Sequence, residues 1–170
     1  SEPAQFGANW LGRKTGEFGE GKMKARGIPG WMSDGELAWL AARAAEHREI
    51  VEVGCYKGRS TRALADATAG HVTAVDSWAT WKQGMWIGTG REWSEFQNNL
   101  KDLLLSGKVT ARKMASLEAA ELLKDQRFDM VFIDADHAYE SVRADILAWR
   151  KLVRKGGVLC GHDYGHADWP

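Results

Sequence analysis

The chain has 170 residues, a length that fits one domain with a substantial core and is short for two. Lysine and arginine (23) balance aspartate and glutamate (23), so no excess of positive charge favours nucleic acid as the partner. No apolar run is long enough to span a bilayer and no signal-peptide pattern opens the sequence, so we expect neither a membrane span nor a secretory leader.

Residues 1–30 are rich in glycine, interleaved with lysine and arginine. Glycine raises the conformational entropy that ordering must overcome, so we predict a flexible arm over 1–30 and a folded domain over 31–170. The arm is either a solvated tail or a lid that orders over a ligand, with Phe6, Trp10 and Phe18 as its anchors.

A regular pattern begins at Ser33. Ser33 or Asp34 can cap a helix over 36–47, and Glu36 supports the first turn of that helix. Strands and helices then alternate, with strands predicted at 49–55, 71–77, 108–114, 128–135 and 158–162 and helices at 60–68, 91–104, 116–125 and 139–153.

This alternation indicates βαβ units, and therefore an α/β, Rossmann-like, doubly wound parallel sheet with helices on both faces. The strand runs IVEV and VFI are nearly continuously apolar, as in strands that are buried on both faces. Cys55 and Cys160 lie in such runs, so we expect buried thiols rather than a disulfide or a metal pair. Free thiols fit a cytoplasmic protein.

The loop after the first predicted strand carries the first functional signal. Gly54 and Gly58 bracket a tight turn that would let a bulky ligand approach the backbone, although a packing turn would also explain them. Glu52 is an acid inside an apolar strand, which a cationic ligand group or a hydrogen-bonded network would explain. Tyr56 stands where the dinucleotide fingerprint has glycine, so a nicotinamide-dependent oxidoreductase is the less favoured alternative.

An acid also ends the second predicted strand. Asp76 follows the run VTAV, where a carboxylate can accept hydrogen bonds from a ribose diol. The alternative is an Asx turn or a cap for the segment that follows.

Four stretches carry a family resemblance: VEVGCYKGRST, TAVDSW, DMVFIDADHAYESVRADILAW and GGVLCGHDY. With these in order, the chain resembles the class I S-adenosylmethionine-dependent methyltransferases from about residue 31 to residue 164. Within them it is similar to the small O-methyltransferases related to sugar and antibiotic enzymes, often labelled cephalosporin-hydroxylase-like. The resemblance implies S-adenosyl-L-methionine as the cofactor. The residues it implies for the cofactor site are Glu52, Gly54, Tyr56, Gly58, Ser60, Asp76, Ser77, Ser116 and Asp134.

The last two predicted strands end in acids and histidines. Asp134, Asp136 and His137 follow one strand, and His162 and Asp163 follow the other. Their convergence at one sheet edge favours Mg²⁺ or another divalent cation, with Asp134 and Asp163 as preferred ligands and His162 as a third. Related metal-dependent O-methyltransferases use acids from the same two strand ends.

The base and its alternatives follow from the same cluster. His137 is the predicted general base, because imidazole titrates near neutral pH. Asp134 is predicted as the second catalytic residue. The alternative for His137 is an exposed residue at a helix start. For Asp136 the alternative is a cap on that helix.

Tryptophans crowd the segment after the second predicted strand, together with Met85. They form either core or self-association packing or the apolar wall of an acceptor pocket. The four are Trp78, Trp81, Trp86 and Trp93.

The methyltransferases that the chain resembles have two further strands, an antiparallel pair, after the fifth. We expect that pair to be missing here, which leaves the fifth strand as a bare edge unless a second copy of the chain covers it or the sequence is a piece of a longer one.

Taken together, the motifs and the cluster of acids and histidines predict a methyltransferase that acts on a hydroxyl of a small molecule. A module that binds the cofactor without turnover is the alternative.

Overall fold

The computed structural model describes residues 23–79, 81–82, 85–86 and 89–163. Most of the predicted arm, residues 1–22, lies outside the described residues, so its prediction as a tail or a lid stays open. The last residues of that arm form a 3-10 helix, Lys24–Gly27, and Ala25 and Ile28 are buried in the core. The packed part of the chain therefore begins before residue 31.

Five strands form one parallel sheet, as predicted, and two short strands form a separate antiparallel pair. The order across the large sheet is β5-β2-β1-β6-β7, so the chain moves outward from β1 in one direction and then in the other. The strands are β1 (Glu49–Val53), β2 (His71–Asp76), β3 (Trp81–Lys82), β4 (Met85–Trp86), β5 (Val109–Lys113), β6 (Phe128–Ile133) and β7 (Val153–Gly161).

Helices cover both faces of this sheet. They are α1 (Asp34–Ala44), α2 (Arg59–Ala67), α3 (Glu92–Asn99), α4 (Lys101–Leu105), α5 (Ser116–Leu122) and α6 (Tyr139–Trp149), followed by a 3-10 turn at Arg150–Leu152. Successive strand residues point to opposite faces, and the buried residues accordingly divide into two clusters. Ile50 packs with α1 and α2 on one face, while Val51 and Val53 pack with α5 and α6 on the other.

Two predicted elements differ most from the structure. The helix predicted over 91–104 is broken at Leu100, a fully buried residue that follows α3 and precedes α4 in the chain. Leu100 leaves helical geometry, with φ −114° and ψ 15°, and next to it the Asn99 side chain donates a hydrogen bond to the Lys57 carbonyl oxygen at 2.9 Å. The last strand is longer than predicted, because the pair Gly156-Gly157 forms an irregularity inside β7 rather than a break before it.

The point where the strand order reverses lies between β1 and β6, and ligands bind at this place in doubly wound sheets. Gly54 makes the close approach of the two strand ends feasible. A Cβ atom there would lie 2.0 Å from the carbonyl oxygen of Asp134, and its φ is +90°. Any side chain at position 54 would therefore push the two strand ends apart.

Both cysteines are free thiols, with Cys55 buried and Cys160 half-buried. Among the described residues, β7 pairs with β6 alone and is a sheet edge, as the sequence predicts. None of the described helices has the length and apolar character needed to cross a bilayer.

Candidate functional site

A cavity of about 490 Å³ lies outside the carboxyl ends of β1, β2, β6 and β7. It brings together seven of the nine residues predicted for the cofactor, and they are Gly54, Tyr56, Ser60, Asp76, Ser77, Ser116 and Asp134. His137, His162 and Asp163 line the same cavity. The residues chosen from separate strand ends therefore share one space.

Glu52 and Gly58 are the two predicted cofactor residues that do not line the cavity. Glu52 is fully buried on the α2 side of the sheet, where Thr61 donates a hydrogen bond to Oε2. Burial raises the pKa of Glu52 to about 7, against the opposing effect of the Ser60 and Thr61 hydroxyls. Gly58 is the N-cap of α2 with φ +90°, and a Cβ there would lie 3.0 Å from Leu100, so it serves packing in this structure.

Asp76 organises the loop that follows β1. One carboxylate oxygen accepts the backbone N–H groups of Cys55 and Tyr56 at 2.8 and 2.9 Å, and the other accepts that of Trp78 at 2.7 Å. A carboxylate offers roughly four lone-pair sites, so capacity for a ligand hydroxyl remains. The Asx-type turn given as the alternative is thus present together with a cavity-facing position.

Ser116 lines the cavity at the start of α5, but its hydroxyl is engaged with α6. It donates to Asp145 at 2.5 Å and accepts from the indole N–H of Trp149 at 2.9 Å. This network fixes the β5–α5 turn against α6.

Asp134, His162 and Asp163 form a group in which one potential ligand atom of each lies within 4.8 Å of the other two. These are the three residues predicted for a divalent cation. Burial raises the pKa of Asp134, and the neighbouring Asp163 adds to the effect. Burial would lower the pKa of His162, but the carboxylates of Asp134, Asp163 and Glu36 raise it above its usual value.

Backbone geometry also marks this group. Asp163 has φ +61°, a left-handed conformation that is uncommon outside glycine. Such conformations cluster at functional sites, where the surrounding structure maintains them.

His137 stands beside the acidic group rather than in it. Its Nε2 lies 3.3 Å from Asp163 Oδ2 and 4.0 Å from Asp134 Oδ1, and about a third (34%) of its side chain is exposed. Asp136 instead accepts hydrogen bonds from the backbone N–H of Ala138 and the hydroxyl of Ser141, at 3.2 and 2.8 Å. Asp136 therefore braces the start of α6, the alternative given for it above.

The predicted tryptophan cluster is partly described. Trp78 is buried, lines the cavity, and packs against Trp93 and Phe96 at ring distances of 4.4 and 4.7 Å. Trp78 thus serves both core and cavity wall. The side chains of Trp81, Met85 and Trp86 lie outside the described residues.

Among the cavity-lining residues that sequence reasoning missed, three have aromatic or charged side chains: Trp31, Arg59 and Glu92. The Arg59 guanidinium donates to the carbonyl oxygens of Met32, Arg26 and Ile28 at 2.8 to 3.1 Å and so fastens the segment before α1 to α2. Partners so distant in the chain leave no local signal in the sequence.

The other two missed residues stand at the cavity wall. Trp31 is 81% exposed, and its ring lies 4.8 Å from that of Tyr56. Burial would raise the pKa of Glu92, but hydrogen bonds from the Thr89 N–H and hydroxyl hold it below its usual value.

Comparison with known proteins gives one family and many similar folds. A family model described as a methyltransferase domain matches residues 51–164. The O-methyltransferase from Bacillus cereus in complex with SAH is 23% identical, with 81% of this chain and 60% of that chain covered and a TM-score of 0.63. For the cofactor-bound Rv0187 from MTB the values are 24%, 80%, 60% and 0.62.

A methyltransferase from Geobacter sulfurreducens is more distant, at 17% identity, with 77% of this chain and 61% of that chain covered and a TM-score of 0.57. The chain thus spans about three fifths of the length of the similar structures, 60 or 61%. No curated protein matches it. At these identities the solved structures establish the shared fold.

Proposed function

The chain belongs to the methyltransferase-domain family, and from this premise we propose that it transfers a methyl group from S-adenosyl-L-methionine to a hydroxyl of a small molecule, assisted by a divalent cation. One observation carries the proposal. The cavity lined by Gly54, Tyr56 and Asp76 also contains the cluster of Asp134, His137, His162 and Asp163. A methyl donor bound beside such a cluster would have the groups that deprotonate a hydroxyl within reach of the reacting atoms.

The chemistry asks for positioning and for removal of one proton. A sulfonium methyl is already activated, so in-line placement of the acceptor oxygen accounts for much of the rate. Asp134, His162 and Asp163 would hold the cation, which supplies Lewis-acid activation of the acceptor hydroxyl. His137 accepts the hydroxyl proton at a ring nitrogen, and its position 3.3 Å from Asp163 supports this role.

Calorimetric titration with S-adenosylhomocysteine tests the cofactor assignment. Because Asp76 also holds backbone amides, a substitution there would disturb the loop, so the ligand is varied instead. We expect the 2′,3′-dideoxy analogue to bind at least ~10-fold more weakly, the worth of about one good hydrogen bond. Equal affinity of the two ligands would contradict the ribose role of Asp76, and NAD serves as the control ligand that should not bind.

Methyl transfer from labelled S-adenosyl-L-methionine to a panel of phenols, catechols and sugars tests the reaction. For an acceptor that is methylated, we expect a chelator to abolish transfer. We expect His137→Asn to lower kcat by ~100-fold or more while leaving S-adenosylhomocysteine affinity unchanged. Tight cofactor binding without transfer to any acceptor would instead favour a cofactor-binding module without turnover.

A further inference from the structure

The two ring nitrogens of His162 face different partners. Nδ1 lies 2.8 Å from Asp163 Oδ1 and 3.7 Å from Asp134 Oδ1, on the side of the proposed cation site. Nε2 lies 3.1 Å from Oε1 of Glu36, which belongs to the first turn of α1. The side chain is only 17% exposed, so the ring is held between these two groups of carboxylates.

Glu36 is itself held in place without the help of His162. Its Oε2 accepts the backbone N–H of Ser33 at 2.6 Å, and its own N–H is donated to the Ser33 hydroxyl at 3.3 Å. This capping box fixes the carboxylate at the start of α1. Arg59 anchors the same region through the Met32 carbonyl oxygen and through an ion pair with Asp34 at 3.5 Å.

The Glu36 carboxylate is a fixed hydrogen-bond acceptor beside Nε2, so it favours a proton on that nitrogen of His162. Nε2 faces Glu36 and Nδ1 lies 2.8 Å from Asp163 Oδ1, so Nδ1 would present its lone pair towards Asp134 and Asp163 when a cation replaces the proton there and Nε2 keeps its proton for Glu36. Histidines that ligate metals almost always donate their second ring N–H in this way, and the partner sets both tautomer and ring orientation. The side chains of Glu36 and His162 therefore have the geometry of a carboxylate–histidine–metal arrangement.

We infer that Glu36 is a positioning residue for His162, and that the two-carboxylate, one-imidazole set it maintains selects a transition-metal cation such as Co²⁺ over Mg²⁺. The inference rests on the cation site of the proposed function. Mg²⁺ takes oxygen ligands in a demanding octahedral arrangement, whereas imidazole is a preferred ligand for the later first-row metals. Glu36 touches neither reactant and acts through His162.

Titration of the metal-free protein with Co²⁺ and with Mg²⁺, by calorimetry and by the visible absorption of bound Co²⁺, tests this inference without any turnover. We expect Co²⁺ to bind at least ~10-fold more tightly than Mg²⁺. Asp134→Ala should abolish both affinities and so identify the site. His162→Asn, which supplies an oxygen in place of a ring nitrogen, should remove the Co²⁺ preference.

Glu36→Gln is the decisive variant, because one amide oxygen cannot serve both Ser33 and His162. We expect it to weaken Co²⁺ binding ~10-fold or more and to shift the absorption of the bound ion, the usual effect of losing such a partner. Ser33→Ala is the matched control, since it removes the hydroxyl from the same capping box but leaves the Glu36–His162 contact, and it should keep the Co²⁺ affinity.

The outcomes separate this inference from the proposed function. Unchanged Co²⁺ affinity and absorption in Glu36→Gln would overturn the role of Glu36 and leave cation-assisted transfer standing. A wild-type preference for Mg²⁺ would overturn the metal selection. A wild-type protein that binds neither ion would remove the cation from the proposed function and this inference with it, whereas methyl transfer would still be measured independently.

Discussion

Glu52→Gln replaces a fully buried carboxyl with a neutral group of the same shape. In the native protein Thr61 donates a hydrogen bond to Oε2, while Oε1 has no hydrogen-bond partner among the described residues. Burial raises the pKa of Glu52 from 4.5 to about 7, so the folded protein holds this proton more tightly than the unfolded chain. The contribution of this carboxyl to the free energy of unfolding is therefore complete below pH 4.5, its pKa in the unfolded chain. It is lost as the pH rises through about 7, its pKa in the folded protein.

The size of the effect follows from the two pKa values. The difference between 4.5 and about 7 amounts to about 3 kcal/mol of unfolding free energy once the carboxyl is ionised in both states. Between pH 5 and pH 8, the wild-type protein should lose about 2 kcal/mol of that amount relative to Glu52→Gln. The loss should level off above pH 8, where both states are ionised.

Urea unfolding followed by tryptophan fluorescence measures this difference at pH 5, 6, 7 and 8. Subtracting wild type from variant cancels the titration of His162, which both proteins share. Glu118→Gln, at an exposed position on α5, controls for the chemical change itself. A difference between wild type and Glu52→Gln that stays constant from pH 5 to pH 8 would refute the account of Glu52 as a proton-holding buried acid.

Three further predictions concern the turn at the site, the opposite end of the sheet and the segment before α1. Gly54→Ala should abolish S-adenosylhomocysteine binding in calorimetry and lower the free energy of unfolding in urea by several kcal/mol. The control is Gly107→Ala, which is also at positive φ but has no atom within 4 Å of the new Cβ, and it should lower that free energy by only about 1 kcal/mol. Asp129→Asn should lower the free energy of unfolding by about 2 kcal/mol at pH 7. Hydrogen bonds outweigh burial and lower the pKa of the Asp129 carboxyl, so its contribution to the wild type disappears as pH falls through that pKa, and the variant should lack this loss in acid. Arg59→Gln should speed amide hydrogen exchange over 24–33 while α6 keeps its protection, and unchanged exchange would show that Arg59 does not hold this segment.

The parts of the site that could be predicted depend on short-range order in the chain. Asp76 and Asp134 follow apolar β-strand runs, and the parallel topology then places both at the same sheet edge. The capping box of α1 is likewise encoded within three residues, from Ser33 to Glu36. Local patterns of this kind predict the structure correctly because the tertiary packing favours the same conformations.

What the sequence could not reveal depends on long-range packing. The contact between Glu36 and His162 joins residues 126 positions apart, and neither residue type specifies the other. The sequence predicts a cationic ligand group or a hydrogen-bonded network for Glu52, an acid in an apolar strand, but the face of β1 that it occupies decides what it touches. Its side chain is on the α2 side, against Thr61. The break at Leu100 likewise has a distant partner, since the neighbouring Asn99 side chain bonds to the Lys57 carbonyl oxygen.

The position of β7 at the edge of the sheet has a consequence for when, during folding, the residues proposed for the cation come together. β1, β2, β5 and β6 pair with one another without β7, and both sheet faces can bury much of their apolar surface before it joins. His162 and Asp163 reach Asp134 only through the β6–β7 ladder, in which Ile133 pairs with Gly161. Affinity for the proposed cation therefore requires the β6–β7 pairing, so during refolding it would report that pairing rather than collapse of the core.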